Sequence, residues 1–208
     1  MESIFVVRKL ILFMHMSLDG FVADKGKAWT TLAPGLFDIA VPALTKKADT
    51  LLLGRVISDD LLGYWLQAEA REPGLSEGEV AYARWATKAC KVIVSRVEEK
   101  PKWENAELRV VKSDKELSRV VSTLKKKPGK NIVVHGGVRT ARNLARLGLI
   151  DEYQLVVHPV LLGSGMSIFD GLKNRRALDL VRMLELGAGV ILLVYKPAGR
   201  RGTRPSRH

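Results

Sequence analysis

The chain has 208 residues, 34 of them basic and 22 acidic, for a net charge of +12. Its 47% hydrophobic content and mean hydropathy of +0.02 suffice for a packed core and exclude a globally disordered chain. The longest apolar runs, such as Val190 to Tyr195, stop far short of the roughly 18 residues needed to cross a bilayer, so no membrane partner is expected. Arg8-Lys9 precede only a short apolar run with no small-residue cleavage site behind it, so no secretory leader is expected either. A single cysteine, Cys90, excludes an internal disulfide and a thiolate metal site and fits a reducing cytoplasm. The last ten residues carry four arginines and no acid, leaving +8 of the +12 on the body of the chain. We therefore expect an extension over residues 1–8, one domain over 9–197, and a basic disordered tail over 198–208.

Apolar segments alternate with helical patterns along the chain, which predicts an α/β fold with helices packed on a mostly parallel sheet. Lys9 to Met16 reads as the first strand, ending in the turn Ser17-Leu18-Asp19-Gly20. Leu36 to Lys47 reads as a helix, Thr50 to Leu53 as a short strand, Ile57 to Trp65 and Glu77 to Ala89 as helices, and Lys91 to Ser95 as a strand of β-branched residues. Ser113 to Glu116 forms a capping box that starts a helix with Leu117, Val120, Val121 and Leu124 on one face; Lys125 to Lys127 place cations at its negative end. Asn131 to His135 is a strand running into Gly136-Gly137 and a further helix, Glu152 to His158 is a strand, and Pro159 to Phe169 is an irregular loop. Leu178 to Leu186 and Gly189 to Lys196 form a closing hairpin around Gly187-Ala188-Gly189.

Two readings of Gly136-Gly137 stand at this point: a cradle whose backbone N–H groups approach a phosphate, or a tight strand-to-helix turn. Gly54-Arg55 and Ser95-Arg96 each follow a predicted parallel strand, and ligands of open α/β sheets sit at such strand ends. A guanidinium beside a hydroxyl suits a phosphomonoester, so the three strand ends together could line a site for a polyphosphate nucleotide. The G-x-G-x-x-G fingerprint of an ordinary Rossmann domain is absent. His15, His135, His158 and His208 show no i, i+4 pair, so no metal site is expected. Ser164, between Gly163 and Gly165, lacks the G-x-S-x-G pattern of a hydrolase elbow.

These motifs, in this order, resemble one family. Ser17-Leu18-Asp19-Gly20-Phe21-Val22-Ala23, Leu52-Leu53-Gly54-Arg55, Gly63-Tyr64-Trp65, Val94-Ser95-Arg96, His135-Gly136-Gly137, Leu149 to Tyr153 and Pro159 to Gly165 look like the dihydrofolate-reductase-like family, and within it the C-terminal reductase domain of the bifunctional riboflavin-biosynthesis deaminase-reductase. The resemblance covers Lys9 to Pro197 and implies a mixed sheet of about eight strands flanked by helices, with NADPH along the strand ends. Carried over by motif, Gly54 and Arg55 meet the phosphate side of the cofactor and Ser95 and Arg96 its 2′-phosphate. Gly136, Gly137, Val138, Arg139 and Thr140 carry the pyrophosphate, with the Gly136-Gly137 peptide in cis. The substrate implied is a small heterocycle such as 5-amino-6-(5-phosphoribosylamino)uracil or a pterin, and no deaminase half is expected in these residues because its cysteine ligands are absent from them. The resemblance also implies a homodimer with the late strands at the interface; Ile191 to Tyr195 are apolar enough to join it, or equally to form an ordinary buried strand.

One departure stands out: the family has threonine two residues after the Gly-Arg arginine, and this chain has Ile57. Either cofactor affinity is lower or Ser58 substitutes. A hydride acceptor of this kind needs a carboxylate to hold its N–H groups or relay a proton. Asp19 lies after the first strand, and Asp38 precedes Gly54 by sixteen residues, an interval similar to that between the substrate-binding acid and the Gly-Arg motif of dihydrofolate reductases. Trp29 is expected to cover the substrate pocket or to join the core. The alternative function is a catalytically silent nucleotide- or nucleic-acid-binding protein on the same fold, reached through the basic tail.

Overall fold

The computed structural model describes residues 7–23, 29–30, 33–69, 74–103 and 105–199. One eight-stranded sheet runs through it in the spatial order β4-β3-β2-β5-β1-β6-β8-β7. Its strands are β1 (Leu10–Ser17), β2 (Ala48–Gly54), β3 (Cys90–Ser95), β4 (Ala106–Val110), β5 (Asn131–His135), β6 (Glu152–His158), β7 (Leu178–Gly187) and β8 (Val190–Pro197). The six strands from β4 to β6 pair in parallel, and β8 runs antiparallel to both of its neighbours.

The central strands are apolar on both faces because helices cover both. Along β1, Ile11 and Phe13 face one core while Leu10, Leu12, Met14 and Met16 face the other, as the two-residue period of a strand requires. The first core lies under a π-helical turn (Leu36–Ala40) that continues into α1 (Val41–Thr45), and under α2 (Arg55–Glu69) and α3 (Glu77–Lys88). The second lies under α4 (Asp114–Lys126) and α5 (Val138–Leu147). The expected helix from Leu36 is thus two pieces, with Pro42 seated in the first turn of α1, where its missing N–H costs nothing.

Several sequence expectations are refined. β4 was not expected; its alternating polar residues suit an edge strand paired only with β3. Ser113 does cap α4, its Oγ accepting from the Glu116 N–H at 3.2 Å, but the Glu116 carboxylate accepts from Lys112 N–H at 2.6 Å instead of closing the box. The complete capping box lies at α3, where Ser76 and Glu79 exchange bonds reciprocally. Arg8, assigned to an extension, is 5% exposed and belongs to the fold: it donates to Asp49 at 2.6 Å, to Thr50 Oγ1 at 2.5 Å and to the Lys130 carbonyl. Such a buried guanidinium persists only because its donors are satisfied. The expected tail lies mostly outside the described residues. No helix among those described is long and apolar enough to cross a membrane.

The closing hairpin turns through Ala188 and Gly189, with φ of +52° and +73°. Positive φ at both central positions is the pattern of a type I′ turn, and alanine carries a Cβ penalty there. Ala188→Asn, which creates Asn-Gly, is expected to raise stability by about 0.5–1 kcal/mol and Tm by about 2–4 °C in a thermal melt; an unchanged or lower Tm contradicts the turn assignment.

Candidate active site

The parallel register brings three of the sequence motifs to one edge of the sheet. Leu52 pairs with Val134, so Gly54 at the end of β2 and Gly136 just past β5 leave the sheet side by side. Gly54 also pairs with Val94, which sets Ser95 and Arg96 one strand further along. The approach is close: a Cβ on Gly54 would lie 2.6 Å from Thr140 Oγ1, and one on Gly137 would lie 3.7 Å from the Gly54 amide nitrogen. A side chain on Gly54 would displace the Thr140 hydroxyl.

Gly136 and Gly137 have φ of +67° and +75°, and no peptide among the described residues is cis, which corrects the expected cis Gly136-Gly137 bond. Two successive left-handed residues reverse the chain there without it. Gly137 is the N-cap of α5 and no side chain caps that helix, so the first-turn amides of Val138, Arg139 and Thr140 have no intrahelical partner. Ile57 packs on this turn, its Cγ1 and Cγ2 each 3.0 Å from where the two glycines would carry a Cβ. Ser58 is not placed to substitute for the missing threonine: it is 1% exposed and its Oγ donates to the Arg55 carbonyl at 2.6 Å.

The remaining phosphate candidates lie at the rim. Arg55 pairs with Glu99 at 3.1 Å, with both side chains over a third exposed. Ser95 is buried and its Oγ accepts from the Val97 N–H at 3.1 Å, shaping the turn that leaves Arg96 exposed. Arg139 is exposed on the first turn of α5.

A cavity of about 590 Å³ opens beside this edge, on the face covered by the π-helical turn, α2 and α3. Asp38 lines it, projecting from the π-helical turn, with Phe13, Phe37 and Trp65 forming much of its apolar wall. Asp19 does not line it. The Asp19 carboxylate is solvent-facing and accepts from Ser17 Oγ at 2.6 Å, from Gly163 N–H at 2.7 Å and from Leu162 N–H at 3.1 Å. The Ser17 hydroxyl, with those two amides, holds its carboxyl below the usual carboxylate range. It acts as a tie between two loops. Trp29 sits with its ring edge toward His158, the centroids 5.5 Å apart, beside the cavity and not among its lining residues.

Three of the histidines, His15, His135 and His158, scattered in sequence, converge in space. His15 and His135 both line the cavity; His15 Nδ1 is 2.9 Å from His158 Nε2, and His135 Nδ1 is 2.9 Å from the Tyr82 hydroxyl. Burial, with His135 and His158 close by, pushes the His15 imidazole down to about 3, and burial pushes His135 down to about 4. Both are neutral at pH 7. The sequence signal for their meeting was present in the strand period, which sets His15 on the face of Ile11 and Phe13, and His135 on that of Val133. What was missing is the register that aligns Phe13 with His135. Among the described residues no three His, Cys, Asp or Glu side chains form a group that could hold a metal ion.

The sign of the resulting pH dependence is fixed by these depressed values. Above the unfolded-state value of 6.5 both states hold the imidazoles neutral, and below it the unfolded chain binds protons that the folded chain refuses. Stability is therefore expected to fall from pH 6.5 to pH 5 by about 1.4 kcal/mol per pH unit per imidazole. Urea midpoints across that window check it, and His135→Gln is expected to remove one proton's share of the slope.

Comparison with known proteins places this geometry. A family profile described as the RibD C-terminal domain matches residues 8–192. YyaP of Bacillus subtilis (strain 168), a protein of uncharacterized activity, is 30% identical over 190 residues, covering 90% of this chain and 94% of YyaP. Among solved structures, a riboflavin biosynthesis protein, so described provisionally, from Shewanella sp. PV-4 superimposes with a TM-score of 0.67 at 20% identity, covering 92% of this chain and 99% of the other. Dihydrofolate reductase of Enterococcus faecalis, in complex with NADP(H), does so with a TM-score of 0.53 at 13% identity over 92% of this chain and 97% of that one. The fold is dihydrofolate-reductase-like, and the chain belongs to the RibD C-terminal domain family.

Proposed function

We propose that this protein is an NADPH-dependent reductase that delivers hydride to a small heterocycle held in the 590 Å³ cavity. One observation carries the reading: β5 ends at His135 and Gly136 follows it, so one residue lines the cavity and the next opens the glycine turn. A site for a phosphate-bearing cofactor and a site for a flat ring therefore abut.

The residues present fit a dinucleotide phosphate. The uncapped start of α5 offers amides with positive dipole, and the partly exposed Arg55 and exposed Arg96 supply guanidinium groups. The Arg55–Glu99 pair is solvent-exposed, a class worth at most about 1 kcal/mol, so Arg55 exchanges it for a phosphate at little cost. Gly54 and Arg55 would meet the phosphate side of the cofactor, Ser95 and Arg96 its 2′-phosphate, and Gly136, Gly137, Val138, Arg139 and Thr140 the pyrophosphate. When bound, the nicotinamide supplies the hydride. This chain's own part is orientation: Asp38 accepts ring N–H groups at the mouth of the cavity, the aromatic wall holds the ring flat and excludes water, and the neutral imidazoles of His15 and His135 bring no charge to the reacting face. Ile57, packed on the glycine turn where the family carries threonine, takes away one phosphate hydrogen bond.

We propose further that the protein forms a homodimer. On β8 the residues Val190, Leu192 and Val194 are buried in the core, so Ile191 to Tyr195 as a whole do not make an interface. Support comes from the other side of the sheet, where Leu180 and Met183 on the edge strand β7 are 56% and 62% exposed and pair with Tyr195 and Leu193.

The central experiment is a titration with NADPH and with NADH, followed by tryptophan fluorescence. NADPH is expected to bind at least about ten-fold tighter than NADH, Arg96→Ala to weaken NADPH about ten-fold or more while leaving NADH little changed, and Arg55→Ala to weaken NADPH about ten-fold; no binding of either nucleotide sinks the reading. Asp38→Asn is expected to lower kcat/KM about a hundred-fold with nucleotide affinity unchanged, measured as NADPH oxidation with the accepted substrate.

A further inference from the structure

We infer that the side of the sheet covered by α4 and α5 is a docking surface for duplex nucleic acid, held through its phosphates without regard to base sequence. The inference is independent of the reductase reading. The two sides of the sheet differ in charge: α4 and α5 carry seven basic and two acidic side chains, whereas the π-helical turn, α1, residues 55–66 of α2 and α3 carry three basic and five acidic ones. The cavity lies on the acidic side, and α4 and α5 pack on the other core. Outside the described residues the sequence holds seven basic and four acidic residues, so the excess on α4 and α5 does not depend on them.

Within each helix the cations form one row. Lys115, Arg119 and Lys126 are all exposed and lie within about 40° of one another around α4, opposite the buried Leu117, Val121 and Leu124. The two acids of α4 are occupied elsewhere: Asp114 accepts from Arg146 and Glu116 from the Lys112 N–H, each at 2.6 Å. Around α5, Arg139, Arg142 and Arg146 lie within about 60°, with Arg139 exposed and Arg142 paired with Asp170 at 3.6 Å. Lys115–Arg119 and Arg142–Arg146 are i, i+4 pairs of like charge, which weaken a helix, and a bound polyanion reverses that sign. Because Arg146 reaches Asp114, the rows run side by side, about 8–10 Å apart, the longer about 17 Å in length.

The kind of polyanion follows from the rest of the surface. No exposed large apolar side chain lies on α4 or α5, so this side has nothing to insert into a lipid surface. Among the described residues the exposed aromatic is Tyr64, on α2 across the sheet, so the bases of a single strand find no stacking platform. What α4 presents is its row of cations with the exposed Ser122 between Arg119 and Lys126, groups that engage backbone phosphates and read no bases.

The test is fluorescence anisotropy of the full-length protein with two labelled DNA duplexes of unrelated sequence, each of about 20 base pairs. Both are expected to bind with Kd of about 1–100 μM at physiological salt, within about two-fold of each other, and to weaken linearly in log Kd against log salt. Replacing Lys115, Arg119 and Lys126 together by Gln is expected to weaken binding about ten-fold or more and to flatten the salt slope by about 2–3. Removal of the like-charge pair leaves that variant at least as stable in a thermal melt, and Lys115→Arg with Lys126→Arg retains binding. Arg84→Gln with Lys88→Gln, on α3, and Gln at all four arginines of residues 200–207 are each expected to change affinity less than about three-fold. No binding of either duplex at low salt overturns the inference, as does binding lost with the four arginines and kept in the α4 variant. A single-stranded oligonucleotide bound as tightly as the duplex, or phosphatidylserine vesicles bound in its place, also overturns it. NADPH affinity, measured separately, bears on the reductase reading alone.

Discussion

The position of β5 between β1 and β2 is the constraint on which the site depends. The chain lays down β1, moves over to β2, proceeds outward through β3 and β4, and only then returns to fill the gap it left. That return sets Gly136 beside Gly54 on one flank and His135 beside Phe13 on the other. It also demands that two strand-to-helix turns fit into one interstrand spacing, which the clash of any Cβ on Gly54 with Thr140 makes visible. An uncapped helix start beside Gly54 follows from the topology, because α5 must start where β5 stops.

Much of this was legible before any coordinates. β5 and β6 fall where runs of apolar residues place them, and Ser113 announces α4, because these signals are local: a run, a cap, a glycine. The strand ends bearing Arg55, Arg96 and Gly136 also declared themselves, since an arginine or a glycine pair just past an apolar strand is readable one residue at a time. What escaped was non-local. No window of sequence shows that His15 and His158 lie 2.9 Å apart, since 143 residues separate them and only the pairing of β1 with β6 brings them together. β4 escaped for another reason: an edge strand buries too little to need an apolar run.

The two aspartates singled out in sequence illustrate the same boundary. Both are acids after early elements, and nothing in their neighbours tells them apart. In the folded chain Asp19 spends its carboxylate on three donors while Asp38 is presented to a cavity. The difference lies in the partner loop, which approaches Asp19 from residues 162 and 163, and in the π-helical turn that carries Asp38 to the cavity.

The tie made by Asp19 has a dynamic consequence. The segment after β1 is zipped to the segment after β6 by Leu18 N–H to Val160 O, Val22 N–H to Met166 O and Met166 N–H to Ala23 O, in addition to the carboxylate bonds. Gly165 passes so close to the Ala23 carbonyl that no larger residue fits between them. The two loops therefore share one hinge mode. Neither can swing without breaking several bonds at once, so thermal excursions of this rim are collective instead of independent, and their frequency is set by the stability of the loop-to-loop contact around the Ala23–Met166 bridge.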